Sequence, residues 1–438
     1  MRTKLPIFAF ALATLASGLP LAPPQYAQEI TSQEVSTAVD RIAPAMIEVR
    51  HQVHQHPELS NREFETSKLV AERLRALGLE VQTGIAHTGV VGILKGGRPG
   101  PIVAVRSELD ALPVTEDTDL PFKSTVRSEY NGQPVGVAHA CGHDIHIATI
   151  LGVATVLASM REQLPGTVIF IFQPAEEGVP KGETGGAKEM LKEGIFDKLR
   201  PDAVFGLHAA GLMDVGQITY TLGPTTSADT TFTIEFHGKQ SHAAFPQESV
   251  DPVVMASEAV MQLQTIRSRN ISPFAPAVVS ITMIHAGVRN NIIPDKATLA
   301  GTIRVFDDKV EDKIEARMRD IVDGIARGAG GSAQIDFDHY GPVSISDPAL
   351  VKRMLPAVER AVGPANVHEA LPVMASDDFA YFAQVAPAFF FELGTQKPGT
   401  TSGVNHAPNF RADDSSIPIG MRAMTDVLVE YLQTSPPH

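Results

Sequence analysis

The string His139-Ala140-Cys141-Gly142-His143-Asp144-Ile145-His146 sets a thiol and an imidazole two residues apart, directly ahead of an apolar stretch that reads as a helix. From an irregular backbone the two side chains can converge on one point. Thiolate and imidazole are ligands that zinc, manganese, nickel or cobalt accept with different preferences. The bland alternative is a helix cap at Asp144 with incidental histidines. A second string, Phe172-Gln173-Pro174-Ala175-Glu176-Glu177-Gly178, follows the most apolar strand of the chain. Two carboxylates at the end of a buried strand are costly unless they are paired, protonated or bound to a cation. Adjacent side chains point apart, so one can ligate while the other serves as general base toward a water. His208 closes the apolar run 203–207, and His406 lies in Asn405-His406-Ala407-Pro408. A lone histidine at a strand end is more often structural, but four such positions on one sheet edge reverse that preference. The ligand set is then Cys141, His143, Glu177, His208 and His406. Five protein ligands exceed what one tetrahedral zinc needs, which points to two divalent metals sharing Cys141 or a water.

These residues need a scaffold, and the pattern supplies an α/β one. Fully apolar strands at 167–172 and 203–207 alternate with helices at 144–160 and 186–193. Strands buried on both faces indicate a parallel or mixed sheet, whose sites gather past the carboxyl ends of the strands. Upstream, 35–48 reads as a helix perturbed by Pro44, and 65–77 as a helix ended by Gly78. Strands at 90–94 and 101–105 flank a Gly96–Gly100 turn. The texture changes near Gly223-Pro224: strands at 230–236, 277–285 and 297–305 and helices at 251–267 and 309–327 form an α+β block. The reading is a catalytic domain in two parts, 35–223 and 341–438, interrupted by an inserted domain at 224–340.

Residues 1–27 read as a secretory signal, with Arg2 and Lys4 ahead of the apolar run 5–19 and small Ala27 at the exit. The expected location is therefore periplasmic or secreted, and no membrane anchor is visible. Cys141 is the only cysteine, so no intramolecular disulfide explains it, and a lone thiol in an oxidising compartment must be buried, metal-bound or catalytic. Apolar content of 43% with 20% charged residues excludes a disordered chain. A net charge of −14 without a Lys/Arg cluster argues against a nucleic-acid partner.

With these strings in view, the chain resembles the aminoacylase-like amidohydrolases. That group includes hippurate hydrolases, indole-acetyl amino acid hydrolases and related carboxypeptidases, within the two-domain di-metal exopeptidases. The resemblance runs from His56-Pro57-Glu58-Leu59-Ser60 through Asp110-Ala111-Leu112-Pro113, the two strings above, Gly206-Leu207-His208 and Ser241-His242-Ala243-Ala244. It continues through Asn291-Ile292-Ile293-Pro294, Gly301-Thr302-Ile303-Arg304 and Asp378-Phe379 to His406. It implies a mixed, mainly parallel catalytic sheet and a ferredoxin-like inserted domain that pairs subunits into a homodimer. It further implies that Cys141 stands where sibling enzymes place a bridging aspartate, that Glu177, His143, His208 and His406 are the other metal ligands, and that Glu176 is the general base. Asp110 matches a carboxylate that orients the ligands, and His242 a residue that polarises the scissile carbonyl. Asn291 and Arg304 match positions suited to holding the free carboxylate of an N-acyl amino acid or small peptide-like amide. Relatives carry Asp where this chain has Glu108, and Glu-Asp-Phe where it has Asp377-Asp378-Phe379; both changes keep charge and move it by one methylene. Two rivals compete with this reading. A cysteine hydrolase using Cys141 as nucleophile leaves Glu176, Glu177 and His406 idle, and a non-catalytic metal- or ligand-binding relative has no need of Glu176.

Overall fold

The computed structural model describes Met1, Thr3 and residues 29–436, so the expected signal segment lies largely outside the described residues. An eight-stranded mixed sheet runs in the order Glu80–Ile85, Gly89–Lys95, Pro165–Gln173, Arg98–Glu108, Ala203–Asp214, Ala388–Gln396, Ile218–Tyr220, Val367–Glu369. The central strands are mutually parallel: Arg98–Glu108 pairs with both Pro165–Gln173 and Ala203–Asp214, and the latter pairs with Ala388–Gln396. Such strands must be apolar on both faces, and Val168, Ile169, Phe170, Ile171 and Phe172 are all buried.

Helices cover the two faces. On one side Ser32–Gln55, His143–Ser159, Pro348–Val362 and Ser416–Thr434 pack into the main core with Val103, Val105, Phe170, Phe205 and Phe389. On the other, Ala187, Met190, Phe379 and Phe382 cover Val91, Ala104, Ile169, Ile171 and Phe390. The first helix runs through Pro44 to Gln55, longer than the pattern at 35–48 suggested. Burial of Val35, Val39, Met46, Val49 and Val53 along one face outweighs the single hydrogen bond that proline removes. The expected Gly96–Gly100 turn shrinks to two residues, because Arg98–Glu108 begins its strand at Arg98. Among the described residues no helix is long and apolar enough to cross a membrane.

A second sheet, all antiparallel, orders Ala277–Ala286, Lys296–Val305, Ala228–His237 and Ser332–Gly341. Lys296–Val305 alternates buried and half-buried residues along most of its length, as a sheet with one covered face requires. Helices Pro252–Thr265 and Asp308–Gly328 fill that face with Met255, Ala259, Leu263, Ile314, Met318 and Val322, a core distinct from that of the large sheet. Strand Ala277–Ala286 is left at an edge, with Met283 and Ile284 exposed.

Candidate active site

The carboxyl ends of the central strands deliver the chemistry. Pro165–Gln173 runs into Glu176 and Glu177, Arg98–Glu108 into Asp110, and the loop before helix His143–Ser159 carries Cys141. Gly142 makes that loop possible. It adopts φ +96° as the helix N-cap, and a Cβ there would sit 2.6 Å from the Cβ of Ala209. Only glycine lets the Cys141 loop close against the strand that holds His208.

Five side chains meet around the Cys141 sulfur. His208 Nε2 lies 3.4 Å from Sγ and His406 Nε2 3.2 Å. His406 Nε2 is also 3.3 Å from Glu177 Oε1, while His143 Nε2 is 3.7 Å from Glu176 Oε2 and 3.9 Å from Glu177 Oε1. Among the compact groups of ligand-type atoms, Cys141–His143–His208 and Cys141–Glu177–His406 have Cys141 in common, and His143–Glu176–Glu177 adjoins them. His143 Nε2 and Glu177 Oε1 are buried without a hydrogen-bond partner. Orphaned ligand atoms in a cluster of thiol, imidazole and carboxylate fit divalent cations.

The surrounding groups fix these atoms in place. His143 Nδ1 donates to the Asp110 carbonyl at 2.8 Å, leaving Nε2 to face the cluster. His208 Nδ1 donates to the Ala209 carbonyl at 3.0 Å, with the same result. His146 is spent differently: Nδ1 bonds Glu108 at 2.8 Å and Nε2 accepts from the Ala209 amide at 2.8 Å, so it buttresses the His208 strand and is not free to ligate. Asp110 lines neither cavity at the site. Its Oδ1 and Oδ2 accept from the amides of Glu176 and Glu177 at 3.1 and 3.0 Å, and Ser60 donates to Oδ2 at 2.8 Å, so its position is that of an orienting group.

Electrostatics follow from burial. Burial pushes the Cys141 thiol well up, reinforced by Glu177 and Glu176, so without a cation this sulfur is a poor nucleophile. Burial, with the charges of Asp377 and Glu177, likewise raises Glu176 well above the usual carboxylate range. Burial opposes charge on His143, but the hydrogen bond to Asp110 and the charge of Glu108 carry it up to about 10. Beneath the site lies a group that sequence reasoning missed. The buried Arg106 guanidinium binds Gln173 at 2.9 Å, Asp377 and Asp378 at 3.0 Å each, and Glu108. An arginine inside an apolar strand run has no periodic signature, and only the neighbouring Glu108 and Asp377-Asp378 hinted at a cation between them.

Two cavities meet at the carboxylates. One, about 620 Å³, is lined by Cys141, His208, Leu212, Tyr220, Leu371, Val373 and Val404. The other, about 400 Å³, is lined by Arg304, Asp229, Tyr340 and Ser376, and Glu176, Glu177 and His406 border both. Arg304 therefore reaches the site, held by Asp229 at 2.9 Å and by Ser376 at 2.9 Å. Tyr340, which closes the last strand of the second sheet, donates its hydroxyl to the Glu176 carbonyl. His242 and Asn291 do not reach the site within one chain, contrary to the expectation from their strings. His242 is exposed on the small Ser241–His242/Ile292–Ile293 ladder and Asn291 is exposed in the turn just before it, and neither lines either cavity. His208 also departs from its expected place at a strand end, because pairing with Ala388–Gln396 extends its strand to Asp214.

Known proteins resemble this chain in sequence and fold. The family model described as peptidase family M20/M25/M40 matches residues 104–430. Thermostable carboxypeptidase 1 of Saccharolobus solfataricus is 38% identical over 404 residues, spanning 91% of this chain and 98% of that protein. N-acetylcysteine deacetylase of Bacillus subtilis is 37% identical over 391 residues, spanning 89% and 97%. Among solved structures, the YXEP protein of Bacillus subtilis, described as a dinuclear metal binding peptidase from the M20 family, superposes with a TM-score of 0.75 at 33% identity, covering 90% of this chain and 99% of that one. On that similarity and its span, the chain belongs to peptidase family M20/M25/M40 and is a hydrolase of amide bonds.

Proposed function

We propose that the protein is a two-metal hydrolase that releases a free amino acid from an N-acyl amino acid, with Glu176 as general base. One observation carries the reading: Glu176 borders both a largely apolar cavity and a cavity presenting Arg304, beside two triads that share Cys141. An N-acyl amino acid has this polarity, with an acyl group on one side of the amide and a carboxylate on the other. The names of the carboxypeptidase and the deacetylase support the same outline, since both reactions release an amino acid with a free carboxylate.

Cys141, His143 and His208 would hold one cation and Cys141, Glu177 and His406 the other. Bound there, divalent cations lower the pKa of a water and polarise the amide carbonyl. Glu176 accepts the proton of the attacking water and returns it to the leaving amine, a transfer suited to a carboxylate whose pKa burial has raised. Arg304, already fixed by Asp229 and Ser376, offers its guanidinium to the substrate carboxylate. Hydrolysis of a panel of N-acetyl, N-benzoyl and indole-acetyl amino acids, run before and after chelation and metal add-back, tests the reading. The expected result is about two metals per chain and cleavage that disappears on chelation; chelator-insensitive cleavage by metal-free protein would sink it.

His242 enters through a second copy of the chain. It is exposed on the second sheet's domain, whose edge strand Ala277–Ala286 carries exposed Met283 and Ile284, and open edges are commonly closed by twofold pairing. In such a dimer His242 of one subunit would serve the other subunit's carbonyl. Mixing Glu176→Gln and His242→Ala subunits, each nearly inactive alone, should then restore about a quarter of wild-type activity, because half the dimers are mixed and each carries one intact site. No recovery after confirmed subunit exchange would show that His242 does not act across an interface.

A further inference from the structure

The His56-Pro57-Glu58-Leu59-Ser60 string and the residues just after it supply no ligand and line neither cavity at the site, yet 60–63 grips the loop that carries Glu176 at both ends. Three successive amides of that loop, those of Ala175, Glu176 and Glu177, donate to two buried carboxylates. Ala175 donates to Glu63 Oε1 at 2.9 Å, and the next two donate to Asp110, itself held by Ser60. At the far end, Asn61 Nδ2 donates to the Thr184 carbonyl at 3.0 Å. Ala175 sits at φ +52°, in the left-handed region that is unfavourable for a residue with a Cβ. Something must hold it there, and the Glu63 contact falls on that residue.

Glu63 has no other visible task. It occupies the N-cap position of helix Phe64–Ala76, yet its side chain caps nothing. The capping is done by Glu58, which accepts from the amides of Glu65 and Thr66 at 3.2 and 2.8 Å. The Glu63 side chain is instead fully buried, with neutral donors as partners: the Ala175 amide, and the Thr88 hydroxyl at 2.6 Å. A carboxylate buried this way is an expense that helix formation does not require. Burial and the nearby Asp110 charge raise its proton affinity above the usual carboxylate range, and a neutral amide of the same shape keeps one acceptor for the Ala175 amide.

We propose that Glu63 is a positioning residue for the reaction: with Asp110 it locks the strained turn at Ala175 and thereby aims Glu176 at the scissile amide. The proposal rests on the reading of Glu176 as base, and Glu176→Gln is run beside the test, so that loss of that reading shows separately. Glu63→Ala should lower kcat by about thirtyfold to a hundredfold, as a misplacement near 1 Å does, with KM within about twofold. Glu63→Gln, which keeps the acceptor for Ala175, should stay within about threefold of wild type. Adding Ala175→Gly to Glu63→Ala should return part of the lost kcat, because glycine holds the left-handed turn without a clamp. Cobalt titration followed by absorbance should show unchanged stoichiometry in all variants, because Glu63 touches no ligand side chain. A folded Glu63→Ala with kcat within about threefold of wild type overturns the proposal, as does Glu63→Gln that is as damaged as Glu63→Ala. Should Glu63→Ala not fold, Thr88→Val decides: removing the donor that fixes the second Glu63 oxygen should lower kcat several-fold, and an unchanged kcat overturns the proposal.

Discussion

Glu176→Gln should reduce kcat by about 10³-fold or more while leaving metal content at the wild-type level and KM little changed. The substitution is nearly isosteric, and the backbone that holds it is independent of its side chain: the Glu176 amide is bound by Asp110 and its carbonyl by the Tyr340 hydroxyl. What changes is the ability to accept a proton. The carboxylate is buried beside Glu177 and Asp377, which raises its proton affinity toward that of a working base. The two triads that share Cys141 leave Glu176 out, whereas Glu176 also lies within reach of His143 and Glu177, so metal loading is the control that separates loss of the base from loss of a ligand. Steady-state kinetics with metal analysis on the same preparation checks both halves. A variant that keeps near-normal kcat would remove Glu176 from the chemistry; one that is inactive but metal-free would make it a ligand.

How much of this could be read in advance depends on whether each residue announces itself locally. Cys141, His143, Glu176 and Glu177 do, because they sit in short strings at the junctions of strongly apolar segments. His406 and His208 could be suspected, but their strand-end placement was only partly right. His208 lies inside a longer strand, and His406 lies in a loop at φ +72°. Their convergence is produced by the parallel pairing of Ala203–Asp214 with Ala388–Gln396, a contact across nearly two hundred residues. Asp110 was legible as an orienting group only through resemblance; its double acceptance from the Glu176 and Glu177 amides is a tertiary fact. Glu63 was not legible at all, and Arg106 had no signal beyond the acidic Glu108 and Asp377-Asp378, since a charged residue in or beside an apolar element carries no sign of what it will face. The second sheet was visible as a change of texture, but its strand Ser332–Gly341, which ends beside Tyr340 and the Glu176 carbonyl, was missed. That strand does alternate, with Ala333, Ile335 and Phe337 on the face that packs on the second core, a period-two signal that was left unread, and it pairs with Ala228–His237.

Cys141 separates the two enzyme readings, and its substitutions should give opposite results under each. If the sulfur is the atom shared by two cation triads, Cys141→Ala removes a ligand from both, and kcat should fall by about 10³-fold or more together with metal content. Cys141→Asp keeps an anionic ligand at the same place and should retain far more, within about 10²-fold of wild type, with about two metals still bound. A nucleophilic cysteine predicts instead that both variants are equally dead and that metal content is irrelevant. The geometry already leans against the nucleophile. Two imidazole nitrogens lie within 3.4 Å of the sulfur, as a base would, but two carboxylates and deep burial hold the thiol in its neutral form. A thiolate nucleophile needs a net positive surrounding from the protein itself. Cations held by the two triads would turn this pocket into one that favours the thiolate, and would account for the orphaned His143 Nε2 and Glu177 Oε1. Alkylation supplies the complementary measurement. The metal-loaded protein should resist iodoacetamide, and the chelated protein, with a buried neutral thiol, should react slowly as well. Rapid alkylation with stoichiometric loss of activity in the loaded protein would return Cys141 to the role of nucleophile.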